Sequence, residues 1–155
     1  MPLNQRFRYR KGELYCEGLS VARLAQKVGT PFYLYSQSAF EEQFLDLKSA
    51  LASVKPMICY AMKANSNLAI LKTLVDLGAG LDIVSGGELY AALAASIPPE
   101  KIVFSGVGKT EEELTYAARS GIAMINVESE DELKVAARVG QKLRRQVPVS
   151  IRVNP

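Results

Sequence analysis

The sequence predicts an α/β fold: a parallel (β/α) barrel of the TIM type, incomplete at about six strands, and three observations point there. Strand-like and helix-like segments alternate at roughly one unit per 20–26 residues, the pattern of a parallel sheet with right-handed crossovers. No G-x-G-x-x-G follows a first strand: Gly78-Ala79-Gly80 precedes one, and Ser105-Gly106-Val107-Gly108 lacks the third glycine, so an open dinucleotide-binding sheet is disfavoured. Lys63, Asp82 and Arg152 fall near strand C-terminal ends, where barrel enzymes keep their chemistry. A complete eight-unit barrel typically needs about 250 residues, and this chain has 155.

Each element has a local reason. Residues 7–18 read as a strand pair or an edge strand, and 20–28 as a short helix. Strands are expected at 31–36, 57–63, 80–85, 101–105, 122–127 and 147–153, each a short apolar run flanked by turn residues. Helices are expected at 39–52, 68–77, 87–96, 111–120 and 130–145. Three of these carry a capping-box signature, Ser38 with Glu41, Thr110 with Glu113 and Ser129 with Glu132, and Asn67 stands ready to cap a fourth. Gly78 and Gly121 occupy positions where helices end on glycine. Phe40, Phe44, Leu47 and Leu51 repeat at helical spacing as one stripe for packing on a sheet. The expected division is 1–30, a strand and short helix outside the repeating units, and 31–155, a partial barrel.

Composition excludes several classes. An apolar fraction of 48% with 23% charged residues describes a globular chain able to bury a core, not a disordered one. A net charge of +3 is too small to argue for nucleic acid. The basic cluster Lys142, Arg144 and Arg145 closes a predicted helix, where cations complement the dipole. Residues 1–10 hold three arginines and no apolar segment, unlike a secretory signal, and no run reaches membrane-spanning length. The two cysteines, Cys16 and Cys59, form no disulfide or metal framework and suit a reducing cytoplasm. The absence of histidine excludes histidine triads and histidine metal sites within these residues.

The most informative stretch is Tyr60-Ala61-Met62-Lys63-Ala64-Asn65, which ends a buried-looking strand on a lysine. Burial favours the neutral, nucleophilic amine, the form that Schiff-base chemistry with a carbonyl or with pyridoxal phosphate requires. The plain alternative is a strand that reaches solvent at its end. Alternation places Ser150, Arg152 and Asn154 opposite Val149, Ile151 and Val153, and Asp82 opposite Leu81 and Ile83. With the apolar faces on the helices, Lys63, Asp82 and Arg152 point toward the barrel axis. Ala61 leaves room for a flat ring. Asp82 is suited to steadying a cationic nitrogen, and Arg152 to a carboxylate, a phosphate or a phenolic oxygen; the two also fit a buried structural pair. Ser85-Gly86-Gly87-Glu88 sits at a strand-to-helix junction, where free amides can hold an anion or glycines can serve tight packing. Glu88 is expected to complement its helix N-terminus, and Lys109 to be a solvated loop lysine. Asn126 and Glu128 are weaker candidates for the barrel mouth.

Taken in order, Gly29-Thr30-Pro31, Tyr60 to Asn65, Gly80 to Glu88, Val103 to Thr110, Asn126 to Ser129 and Arg152 to Pro155 resemble the diaminopimelate decarboxylase family. That family lies in the fold-type III, alanine-racemase-like group of pyridoxal-phosphate enzymes, and the resemblance runs over essentially the whole chain. It implies the cofactor pyridoxal 5'-phosphate, carried covalently by Lys63, with Asp82 and Arg152 lining its pocket. The implied reaction is α-decarboxylation of meso-diaminopimelate to L-lysine, the last step of lysine biosynthesis, by a cytoplasmic homodimer with a small amino-acid substrate. Sister decarboxylases of ornithine, arginine or carboxynorspermidine, or a non-catalytic pyridoxal-phosphate protein, are the alternatives. Family members also have a ring-stacking histidine, a glycine-rich phosphate loop, a Glu-Pro-Gly-Arg stretch and a C-terminal β-domain with a catalytic cysteine. The resemblance therefore implies an N-terminal portion with little or no decarboxylase activity of its own, or one acting only through assembly with a full-length partner.

Overall fold

The computed structural model describes residues 6–153 and 155. The chain divides into two compact units, Met1–Leu51 and Ala52–Pro155.

In the first unit, β1 (Phe7–Arg10), β2 (Glu13–Cys16) and β3 (Leu19–Ser20) form an antiparallel sheet in that order. Both hairpins turn on a two-residue loop, Lys11-Gly12 and Glu17-Gly18, with positive φ at all four positions, the geometry that matches strand twist. Ser20 then caps α1 (Val21–Val28) by accepting the Arg23 N–H at 3.2 Å. The second helix, α2 (Gln37–Ala50), is capped by Ser36, which accepts from Ala39. This corrects the expected Ser38 box. Ser38 is drawn off by the Glu17 carboxylate, which accepts from its amide at 2.9 Å and its hydroxyl at 2.5 Å. Of the predicted stripe on α2, Phe44 is buried while Leu47 and Leu51 are exposed. The segment 31–36 keeps its alternation, with Phe32 and Leu34 half-buried and Tyr33 and Tyr35 exposed. It pairs with no described strand and so forms no ladder, correcting the first of the six predicted strands.

The second unit is a parallel sheet in strict sequence order: β4 (Cys59–Ala61), β5 (Gly80–Ile83), β6 (Ile102–Phe104), β7 (Met124–Val127) and β8 (Val149–Ile151). Between them run α3 (Leu68–Asp76), α4 (Gly86–Ala94), α5 (Glu111–Ser120) and α6 (Glu130–Leu143). Registers such as Ala61 against Asp82, Asp82 against Val103 and Asn126 against Ser150 tie neighbouring strands. The core forms from the alternate residues Leu81 and Ile83, Ile102 and Phe104, and Ile125, packed with Leu71, Leu89, Leu114 and Val139 of the helices. That side of the sheet is dry, so the polar residues between are confined to the other face. Asn67 caps α3 through the Ala69 amide, and Thr110 with Glu113 forms a complete capping box on α5. The basic cluster does more than serve its own helix. Arg145 donates to the last carbonyls of α5, Ala118 at 2.8 Å and Arg119 at 3.3 Å, and Lys142 pairs with Glu111 at the other end of that helix. Asn154, which alternation grouped with Ser150 and Arg152, lies outside the described residues, as do residues 1–5. Among the described residues no helix is long and apolar enough to cross a membrane.

Candidate functional site

The strand carrying the lysine stops at Ala61, two residues earlier than the alternation pattern predicts. The chain there tightens into one turn of 3₁₀ helix, Met62–Ala64, which lies against β5. The turn sends Met62 into the core, 1% exposed, and leaves Lys63 exposed. The expected enclosure of Lys63 is therefore corrected: a strand would have carried its side chain on the Ala61 face, whereas the turn releases it. No hydrogen bond or ion pair joins Lys63 to another described residue. Its amine is available.

Beside Ala61, the polar face of the sheet carries a connected row. The Ser105 hydroxyl donates to Asp82 Oδ1, and Asn126 Nδ2 donates to Ser105 Oγ at 2.9 Å. Asp82, Ser105 and Asn126 thus link β5, β6 and β7 side by side. Asp82 also lies near Cys59, whose thiol is pushed up, first by burial and then by the Asp82 charge; a thiol so held is a poor nucleophile. Arg152 follows the edge strand β8, with its amide donating to the Val127 carbonyl at 3.0 Å. Its guanidinium pairs with Glu128 at 3.0 Å rather than with Asp82. The buried Asp82–Arg152 pair is not formed: β5 and β8 are separated by two strands, and Arg152 is exposed.

The N-termini of α4, α5 and α6 are occupied by the protein's own carboxylates. On α4, Ser85 accepts from Glu88 N, Glu88 accepts from Val84 N at 2.7 Å, and Gly86 N donates to Glu113 Oε1 at 2.8 Å. The Gly86 amide is thus committed to a side chain. Gly86 is also a close-packing glycine: a Cβ there would stand 3.1 Å from Glu113 Cγ. On α6, Ser129 accepts from Glu132 N, and Glu132 reaches back to Glu128 N at 2.7 Å, one residue before the cap.

Lys109 is the largest departure from the sequence reading. Its side chain is 1% exposed and pairs with Glu132, 7% exposed, at 3.0 Å. It also donates to the carbonyls of Gly106 at 2.6 Å and Asn126 at 2.7 Å. A lone lysine in a glycine-rich loop looks solvated because its partner lies 23 residues away. The available signal was on the other side: Glu132, Ala136 and Val139 share the buried stripe of α6, and a carboxylate in such a stripe requires a cation. Ser105 is absent from the sequence-predicted site, although alternation from Val103, the partner of Asp82, puts it on the same face.

A lysine without a described partner after one strand of a parallel β/α sheet, with a carboxylate, a hydroxyl and an amide in a row at the ends of the next strands, marks a β/α-barrel-type protein with its polar groups at the carboxyl ends of the strands. The donor set suits pyridoxal phosphate: an amine for its aldehyde, Ala61 leaving the sheet face open for a ring, and polar groups beside it. Residues 37–155 match the family model described as "Pyridoxal-dependent decarboxylase, pyridoxal binding domain", and the chain belongs to that family. It is 52% identical over 152 residues to the diaminopimelate decarboxylase of Aquifex aeolicus, covering 98% of this chain and 36% of that relative. The diaminopimelate decarboxylase of Pseudomonas aeruginosa is 48% identical, covering 96% and 36%. The crystal structure of the M. jannaschii diaminopimelate decarboxylase in complex with L-lysine superposes with a TM-score of 0.93 at 35% identity, covering 98% of this chain and 36% of that one. The chain thus spans about a third of the length of these relatives, and Lys63, Asp82 and Arg152 all lie in the matched region.

Proposed function

We propose that this chain binds pyridoxal 5'-phosphate through Lys63, as the N-terminal part of an enzyme that decarboxylates meso-diaminopimelate to L-lysine. The observation that carries this reading is the exposed Lys63 amine, without a partner among the described residues, one turn past the strand residue Ala61 that pairs with Asp82, within the region that matches the pyridoxal-binding family. Bound there, the cofactor would supply an electron sink for decarboxylation. The protein's part is orientation. Lys63 offers the amine that anchors the aldehyde. Asp82, held by Ser105, presents a fixed carboxylate beside it, and the Asn126 amide keeps the Ser105 hydroxyl turned toward Asp82. Arg152, steadied by Glu128, offers a cation for a carboxylate, a phosphate or a phenolic oxygen.

The named relatives favour diaminopimelate over ornithine, arginine or carboxynorspermidine as substrate. We assign residues 1–30 to a region joining a further β-domain of the full-length enzyme and 31–155 to its barrel, and the full-length enzyme to the cytoplasm as a homodimer; the family resemblance and the free cysteines support this.

The test is chemical. Incubation with pyridoxal phosphate, borohydride reduction and peptide mapping should leave a pyridoxyl group on the Lys63 peptide of the wild-type chain, absent in Lys63→Ala. Label spread over surface lysines, or retained equally in Lys63→Ala, defeats the assignment.

A further inference from the structure

We propose that Lys109 and Glu132 are positioning residues, whose buried pair fixes the carboxyl ends of β6 and β7 and with them the groups assigned above to the cofactor site. This deepens the pyridoxal-phosphate reading and rests on it for the identity of the site. An ammonium has three protons to place, and Lys109 places all three: on Gly106 O at 2.6 Å, Asn126 O at 2.7 Å and Glu132 Oε1 at 3.0 Å. Its Nζ also lies 5.6 Å from the Phe104 ring centroid. The second oxygen of Glu132 accepts the Glu128 amide at 2.7 Å. One buried cation therefore holds the loop after β6, the backbone of β7 and the residue that follows it.

Both arms of the candidate site hang from this point. Asn126, held by its carbonyl, sends its side-chain amide to Ser105, which donates to Asp82. Glu128, held by its amide, sends its carboxylate to Arg152. Stability does not demand such a pair, because apolar residues of similar volume commonly replace a buried ion pair at no cost. What apolar residues cannot supply is a donor aimed at two carbonyls and an acceptor aimed at a third residue's amide. Geometry is what the pair provides.

The test uses the full chain and the double variant Lys109→Met/Glu132→Leu, with Glu132→Gln as a second variant should the first not fold. Two quantities are read: hydrogen exchange of the Asn126 side-chain amide by NMR without cofactor, and pyridoxal-phosphate affinity by absorbance titration. The expected result is a thermal midpoint near that of wild type, Asn126 exchange faster by about tenfold or more as the local structure opens, and cofactor affinity weaker by about tenfold as the site loses its support. The backbone amide of Leu81, in the core of β5, should keep its protection. Unchanged Asn126 exchange, or faster exchange only in step with Leu81, overturns the inference and makes the pair structural filling. If the wild-type chain takes up no pyridoxal phosphate, the functional reading falls and the exchange measurement alone decides this inference.

Discussion

One carboxylate, Glu113, closes two helices at once. Its Oε2 accepts the Thr110 amide at 3.0 Å and its Oε1 the Gly86 amide at 2.8 Å. These amides, Thr110 first and then Gly86, hold its carboxyl below the ordinary value of 4.5. The sign follows from linkage: a depressed folded value stabilises the fold above the unfolded value and is lost as pH falls through the folded one. In Glu113→Gln the acid limb of a urea-midpoint profile should therefore be flatter below about pH 4.5 than in wild type; an unaltered limb would show that Glu113 is not a contributor. Other carboxylates depressed in the same direction also contribute to the slope, among them Glu17 through the Ser36 and Ser38 hydroxyls, Glu13 through Ser20 and Tyr15, and Glu111 through Lys142. At this scale the sequence offers Lys63, Asp82 and, more weakly, Asn126 and Glu128 as candidates, but not Ser105 between them nor the Lys109–Glu132 pair beneath them. Lys63 announces itself by ending an apolar run, whereas Lys109 and Glu132 acquire meaning only when β6 and α6 are brought together in space.

At the scale of elements, local signals were legible wherever a residue acts on its own helix. Asn67, Thr110 with Glu113, and Gly121 sit as the spacing predicts. The signals misled where a distant group competed, as Glu17 does for Ser38, or where a glutamate had two tasks, as Glu132 does between Glu128 and Lys109. Strand ends were overextended as well. Ala61 is the last β4 residue paired with β5, and the chain turns there into 3₁₀ helix although β5 runs on to Ile83. Gly80 shows how tightly β5 is held between its neighbours: a Cβ there would stand 2.6 Å from the Lys101 carbonyl oxygen, just before β6, and 2.8 Å from Cys59 Sγ of β4. Gly80→Ala should cost about 1–3 kcal/mol of unfolding free energy through overpacking. Urea titration measures it, and a variant as stable as wild type would mean that β4 shifts freely.

For the whole molecule, the order of strands follows from alternation once the barrel is chosen over the open sheet, because consecutive β/α units of a barrel stack side by side. The number does not, since a segment such as 31–36 looks like a strand whether or not a partner lies beside it. The edge strand β8 is the most exposed part of the sheet, with Ile151 at 68% and Val153, just past its end, at 75%. Unpaired apolar edges promote self-association. Ile151→Lys should reduce light scattering of the purified chain at high concentration, and scattering equal to wild type would place the sticky surface elsewhere. The serial arrangement β4 to β8 has one more consequence. Each strand docks on the one synthesised just before it, so nothing in this sheet must wait for a later segment to intervene. A nascent polypeptide leaving the ribosome can lay down the sheet strand by strand, and an unfinished product would already resemble the finished layer.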